Sequence, residues 1–372
     1  MTLSEAFAPL VDPRIDRHKQ HNLQDMALIA VSAILCGADG WSAVAEFGRT
    51  KQAWLQTFLQ LPNGIPSHDT FGRVFSLLDP TAFQTCFLSW VKSLGELAPG
   101  SVVAIDGKTL RHSYSSEDNK AAIHMVSAWG AANGLVLGQL KTAEKSNEIT
   151  MIPALLKLLA LDGTIVTIDA MGCQKTIARQ IRSQRADYVL ALKGNQKNLY
   201  EDVKLYMDQA IKHDFAGLEM DRHEAVDGGH GRVETRRCWT VSQLDWLSQR
   251  EDWQDLKMVG VVELECDIKG AVSIDRRYFI SSLTGNNARQ LALAVRQHWG
   301  IENRLHWVLD VGMREDECRI RKDYAAENMA VLRHMVLNLL RQEKTVKLGI
   351  PNKRLKAGWD ERYLQKILGM AS

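Results

Sequence analysis

Bulk charge does not announce a partner for this chain: 46 basic and 44 acidic side chains leave a formal net charge of only +2 at pH 7. A nucleic-acid partner would therefore have to be met by local basic patches. Cysteine is scarce too. The six, Cys36, Cys86, Cys173, Cys238, Cys266 and Cys318, lie far apart with no C-x-x-C pair, which argues against a zinc ribbon or a disulfide framework and fits a reducing cytoplasm. Long apolar runs are missing. Met26 to Ala38, with Ser32 and Gly37 inside it, falls well short of the roughly 18 to 20 residues that span a bilayer and reads as a buried helix, so no membrane partner is expected. Met1 to Ala6 carry no basic leader, and a cytoplasmic location is expected. No Ser/His/Asp or Cys/His arrangement is recognisable, which points away from a side-chain nucleophile. Internal repeats and low-complexity segments are absent as well.

What is present is ordinary globular material, 45% hydrophobic and 24% charged over 372 residues, enough for two or three domains. Residues 1–97 read as helical, with apolar residues at helical spacing in Leu23 to Leu35 and Ala53 to Leu59. Ser67 or Asp69 can cap a helix from Thr70 to Leu78, and Asp79-Pro80 opens another that ends near Leu97. A DNA-binding head and a helical lid explain this pattern equally. After Ala98-Pro-Gly100 the pattern changes to strands at Val102–Ile105, Ile123–Trp129 and Leu135–Leu140, the last two joined by the turn Ala132-Asn-Gly134. A helix follows from Met151 to Leu159, capped by Ser146 or Asn147, then a strand at Thr164–Ile168, a helix over Cys173–Ser183 and a strand at Tyr188–Leu192. Three strands, helix, strand, helix, strand give an α/β fold whose mixed five-stranded sheet has its first strand central, the ribonuclease-H-like arrangement, over residues 98–372. A β-rich insertion is expected at about 217–283, with strands at Glu234–Val241, Met258–Glu265 and Ser273–Ile280. Helical periodicity returns at Ala288 and runs, with breaks at Gly312 and around Asp323, to about Arg341.

Two of these strands end in acids. Val102-Val-Ala-Ile105 runs into Asp106-Gly107, and Thr164-Ile-Val-Thr-Ile168 runs into Asp169, so two buried strands can set two carboxylates side by side. The competing reading makes Asp106-Gly107 a simple turn opening. A third acid lies in Val295 to Asp310, where His298, Glu302, His306 and Asp310 recur every four residues as one polar stripe, flanked by Trp299 and Trp307 that can pack inward. Three carboxylates from two strand ends and a helix are what a two-metal phosphoryl-transfer site requires. Mg²⁺ takes oxygen ligands, and two ions about 3.5 to 4 Å apart activate the attacking oxygen and stabilise the leaving one. Asp106 would bridge both ions, with Asp169 and Glu302 holding one each. A zinc site on His298, Glu302 and His306 fits poorly, because two helical turns span about 12 Å.

Basic and amide groups fall where phosphates would be met: Lys108 and Arg111 after the first strand, Lys145 at a helix start, and Lys193, Asn195 and Gln196 after the last strand. Such contacts give affinity without reading sequence. In the insertion, Arg232, Arg236 and Arg237 alternate with apolar residues, and a basic outer face would clamp DNA unless Glu224, Asp227 and Glu234 balance it. The C-terminal cluster Lys344, Lys347, Lys353, Arg354, Lys356, Arg362 and Lys366 reads at least as well as a solvated surface.

Asp106-Gly-Lys-Thr, Glu144-Lys-Ser-Asn-Glu148, Asp169-Ala-Met-Gly-Cys-Gln174, Lys193-Gly-Asn-Gln196, His298-Trp-Gly-Ile-Glu-Asn303 and Leu305-His-Trp-Val-Leu-Asp-Val311 together resemble the H-repeat-associated DDE transposases of bacterial insertion sequences. The resemblance covers nearly the whole chain. It implies a ribonuclease-H-like core, two Mg²⁺ ions for which Mn²⁺ can substitute, and cleavage and transfer of double-stranded DNA at element ends. It further implies the triad Asp106, Asp169 and Glu302, and action as a homodimer assembled on DNA in the bacterial cytoplasm, at the nucleoid. Broader cut-and-paste relatives carry Tyr, Arg and Lys around the glutamate where this chain has Val295, His298 and Leu309; His298 is then expected to take over the phosphate contact, shared with Arg296 or Arg304. The alternative is a silent remnant that holds DNA without cutting it.

Overall fold

A computed structural model describes residues 1–114, 121–142, 148–229 and 231–370. The N-terminal part is helical, with α1 (Leu3–Phe7), α2 (Leu23–Leu35), α3 (Trp41–Thr50), α4 (Gln52–Leu55), α5 (His68–Leu77) and α6 (Pro80–Ser93). Side chains fix their starts: Asn22 accepts from Gln24 N–H before α2, Ser67 from Thr70 N–H before α5, and Asp79 from Thr81 N–H before α6, whose first residue is a proline that needs no donor. The next stretch contains β1 (Val102–Thr109), β2 (His124–Gly130), β3 (Leu135–Thr142), α7 (Glu148–Leu158), β4 (Ile165–Ile168), α8 (Lys175–Ser183), β5 (Asp187–Leu192) and α9 (Lys197–Lys212). Four long strands follow, β6 (Met220–Gly229), β7 (Arg232–Val241), β8 (Met258–Ile268) and β9 (Ala271–Ser281), and the chain ends in α10 (Ala288–Gly300), α11 (Ala325–Gln342), α12 (Ile350–Trp359) and α13 (Glu361–Ile367). The helix caps expected at Ser146 or Asn147 lie outside the described residues.

The strands form one mixed sheet in the order β3-β2-β1-β4-β5-β9-β8-β7-β6. Its first five positions follow the expected order, with β1 antiparallel to β2 and parallel to β4. The expectation of a five-stranded sheet with a separate insertion is corrected by the pairing of β5 with β9, Val189 against Ser281 through Leu192 against Tyr278. This ladder makes the sheet nine-stranded. Phe279 and Ile280 fill both faces beside β5, so the long strands share the sheet's core instead of enclosing one of their own.

Side-chain alternation sorts the two faces. Val102, Ile165 and Val189 point to the face on which α10 lays Ala288, Leu291 and Ala294. Val103, Ile105, Val166, Ile168 and Leu190 belong to the larger core, which α7, α8 and the N-terminal helices also enter. Helix α11 is buried on almost every side, from Asn328 to Leu340 without interruption, as befits a helix at the centre of a core. Two of its asparagines replace missing backbone partners. Asn338 Oδ1 accepts from Val136 N–H at 2.8 Å and its Nδ2 donates to Val136 O at 2.9 Å, which satisfies the outer edge of β3. Asn328 Nδ2 donates to Phe75 O and Leu78 O, both at 2.9 Å, and ties down the end of α5. Within the C-terminal basic cluster, Lys353 and Arg354 are buried: Arg354 donates to Ile34 O, a carbonyl in the last turn of α2 that also accepts from Gly37 N–H, and Lys353 to Leu340 O.

Replacing Asn338 with leucine would strand both the N–H and the carbonyl of Val136 in an apolar core. We expect Asn338→Leu to lower unfolding free energy by roughly 2–4 kcal/mol, read from urea denaturation, because each orphaned buried group costs about 1–3 kcal/mol.

Candidate active site

Strand register assembles the first half of the site. Ile105 of β1 is paired with Ile168 of β4 in parallel, so Asp106 and Asp169, each one residue further on, leave neighbouring strands that lie about 4.8 Å apart. Each lies four residues beyond a member of the α10-facing set, Val102 or Ile165, and so falls on that face. The turn reading of Asp106-Gly107 is corrected: β1 continues through both residues to Thr109, with Asp106 opposite Ser127 and Gly107 opposite Val126 on β2. β4 does stop, and there Asp169 accepts N–H groups from Met171 at 3.1 Å and Gly172 at 3.3 Å, capping a short 3₁₀ turn. Glu302 arrives from the opposite side, just past the end of α10. All three acids line one cleft of about 450 Å³, together with Thr167, Lys193, Arg277, His298 and Trp299.

Side chains on the other face of the sheet reach close to Gly107 and would have to shift to admit a larger residue there. A Cβ there would overlap Glu148 Oε1 and His124 Nε2, which are themselves ion-paired. His124 Nδ1 shares a hydrogen bond of 2.9 Å with Thr109 Oγ1. Glu148 thus stands behind Asp106 as a fourth, buried carboxylate, one that the sequence singled out within the Glu144–Glu148 motif without assigning it to the triad. Burial pushes the Asp106 carboxyl up to about 7, and the charges of Asp169, Glu302 and Glu148 push the same way against the Gly107 N–H that it accepts. Glu302 is also raised, by desolvation first, with Arg277 opposing. Among the described residues no three His, Cys, Asp or Glu side chains converge closely enough to cage a metal ion.

The segment that carries Glu302 is not α-helical. Ile301–His306 and Val308–Gly312 follow π-helical hydrogen bonding, a form concentrated at functional sites. The four-residue stripe is therefore split among several partners. His298 Nδ1 meets Thr167 Oγ1 at 3.0 Å and burial lowers its pKa; His306 Nδ1 lies 3.6 Å from Asp106 Oδ2, and burial takes that imidazole down to about 3. Asp310 bonds Lys108. Trp307, expected to pack inward, is instead 60% exposed, a correction that the altered helical period explains.

The expected phosphate-binding residues separate into distinct environments. Lys108 is enclosed, paired with Asp310 and, at 2.7 Å, with the buried Glu315. Arg111 is exposed and reaches Asp316 at 3.2 Å. Lys145 lies outside the described residues. Lys193 is exposed on the rim of the cleft. Asn195 and Gln196 turn back onto the protein, donating to Ala170 O at 2.6 Å and Cys173 O at 3.0 Å, so they fix the turn that Asp169 caps. In β7, Arg236 pairs with Asp227 and Glu234, and Arg237 with Glu224, Glu263 and Glu265. The balancing acids are present and in contact.

Because Asp310 and Glu315 share one buried ammonium, removing it leaves Asp310 without a counter-charge and Glu315 with only Arg333, at 4.0 Å. We expect Lys108→Met to destabilise the fold by roughly 3–5 kcal/mol, the scale for a broken buried pair, and Lys108→Met with Glu315→Gln to recover part of that loss in the same urea titration.

Residues 97–339 match the family model described as Transposase DDE domain, and residues 4–91 match the one described as DDE_Tnp_1-associated. The chain is 40% identical over its full length to "Putative transposase YncI" of Escherichia coli O157:H7, covering 95% of that protein. It is 39% identical over 98% of its length to "H repeat-associated putative transposase YhhI" of Escherichia coli (strain K12), covering 97% of it. "Inactive transposase YbfQ" of the same strain is 41% identical over 56 residues, 15% of this chain and 67% of that protein. With both halves matched and whole-length relatives at this identity, the chain belongs to the H repeat-associated DDE transposase family.

Proposed function

We propose that the protein cleaves and joins double-stranded DNA at the ends of an insertion sequence by metal-dependent phosphoryl transfer, with Asp106, Asp169 and Glu302 as its catalytic acids on a ribonuclease-H-like core. The observation that carries this reading is that all three line one cleft, with Asp106 raised to about 7 by burial and by its acidic neighbours. Clustered carboxylates that resist ionisation are a site that a cation would relieve, and an all-oxygen donor set suits Mg²⁺ or Mn²⁺. Asp106, Asp169 and Glu302 would be the residues to hold such ions. When bound, such ions activate the attacking oxygen and stabilise the leaving one.

The chain's own residues do the rest. Asn195 and Gln196 hold the Asp169 turn, and Thr167 orients the His298 ring toward the cleft, where a neutral imidazole can donate to a phosphate oxygen. Lys193 on the rim offers an exposed positive charge to the DNA backbone. Residues 1–97 act as a helical DNA-binding domain and residues 98–372 as the catalytic domain. The working form is a homodimer assembled on the element ends, acting in the cytoplasm at the nucleoid.

Nicking of duplex DNA that carries the element ends, with Mg²⁺ or Mn²⁺ present, tests the proposal. Asp106→Asn is expected to reduce nicking by two to three orders of magnitude or more, the scale of one preorganised charged group. End binding should be nearly unchanged, and the thermal midpoint equal or higher, since one repelling charge is gone. Persistent nicking by the variant would overturn the assignment of the acids; a parent that binds ends and never nicks them would be a DNA-binding remnant.

A further inference from the structure

Beside the acidic cleft lies a second cavity of about 760 Å³, between α10 and the face of β6 to β9 that α10 covers. Asp275, Arg277, Val295 and Trp299 line both spaces, so the two are continuous. Arg232, Arg236, Arg237, Arg277, Arg289 and Arg296 face it, against three carboxylates, Asp227, Glu234 and Asp275. The arginines on the sheet are balanced by these acids and by Glu224, Glu263 and Glu265, so the charge open to a ligand lies on α10. We propose that the cavity takes a single-stranded DNA segment leading away from the cleft, an inference that rests on the DNA-cleavage reading of that cleft.

The two walls differ. On the sheet side the arginines are engaged: Arg236 with Asp227 and Glu234, Arg237 with Glu263 and Glu265, Arg277 with Asp275 at 3.0 Å. They shape the wall and have little charge to spare. On the helix side, Arg289 is exposed and has no ion-pair or hydrogen-bond partner among the described residues, and Arg296 reaches only Asp227, at 3.9 Å. These two are seven residues apart on one helix, about 10.5 Å at 1.5 Å per residue. Trp299 stands at the junction with the Arg277 guanidinium 5.0 Å above its ring. An unpaired base can stack at such a place, and a positive groove ending in an aromatic platform is how sequence-independent single-strand sites are built. The volume is that of a small-ligand site and holds about two or three nucleotides; a base-paired duplex does not enter a slot closed by a helix on one side and a sheet on the other.

The test uses the full chain without divalent metal, a fluorescent oligothymidylate and a duplex of equal length, with binding followed by anisotropy across a salt series. Arg289→Gln with Arg296→Gln should flatten the log K against log salt slope for the single strand by roughly 1.4, two contacts at about 0.7 each, and leave the duplex isotherms unmoved. Trp299→Leu should weaken single-strand binding by roughly tenfold. Arg179→Gln with Arg185→Gln, on the far side of the sheet, should change neither probe. Circular dichroism confirms that each variant is folded; all four arginines are exposed. Overlaying single-strand isotherms for the α10 variant and parent, or an equal loss on the duplex, would overturn the proposal. Neither probe carries an element end, so that failure leaves the cleavage reading intact. A parent that binds the oligothymidylate through these arginines and never nicks element ends would overturn the cleavage reading and leave the single-strand site standing.

Discussion

The ammonium of Lys108 sits between Asp310 and Glu315, and the placing of β1 against the helical run that carries Glu302 depends on that contact. Lys108 lies two residues beyond Asp106 and points to the same face of the strand. Asp310 lies eight residues beyond Glu302. One buried charge therefore spans the strand that bears the first acid and the segment that bears the third. Glu315 is buried with it and lies 4.0 Å from Arg333 on α11, which extends the contact into the centre of the core. Charges enclosed to this degree are expensive unless each is matched, so such a network tolerates few alternative arrangements.

Further hydrogen bonds hold the π-helical segment at its flanks. Arg341 of α11 donates to Arg304 O at 2.7 Å, and Arg354 of α12 to Gly312 O while also reaching the end of α2. Backbone in a helical form that is rarely stable by itself is thus supported by arginines from two other helices. Arg354 also connects the N-terminal helices to the segment that bears Glu302. The helical N-terminal part and the site consequently share a mechanical support, although none of residues 1–97 lines the cleft.

Much of this was legible in the residues because period and punctuation agreed. Two β-branched runs ending in aspartate gave the neighbouring strands and their two acids, and the central place of the first strand followed from the succession of three strands, helix, strand, helix and strand. What stayed hidden had a physical reason in each case. β6 carries no fully buried side chain, so Met220–Gly229 lacks the alternation that marks a strand and is held by its backbone ladder to β7. α9 had a readable stripe in Leu199, Val203 and Met207, which the loop motif just before it overshadowed. The π-helical turns defeat any reading at fixed α-helical spacing, which is why Trp307 faces solvent. Glu148, with His124 beside it, acts on Asp106 from the opposite face of the sheet, a contact that its place in the Glu144–Glu148 motif does not show. Lys108, read as a phosphate ligand from its position, proved to be an internal counter-ion, a distinction that depends on residues some two hundred positions away.

The joining of β5 to β9 bears on how this fold can change over generations. A module bounded by loops can be lost or exchanged without harm to its host, but β6 to β9 are not bounded in that way. Cut out, they would leave β5 with an unpaired row of N–H and carbonyl groups, an edge prone to pairing with other chains. Phe279 and Tyr278 would leave with them, opening the wall of the cleft next to Lys193. Lineages that keep the acids are therefore constrained to keep some strand at the β9 position, while the outer hairpin of β6 and β7 remains free to lengthen, shorten or change its charges.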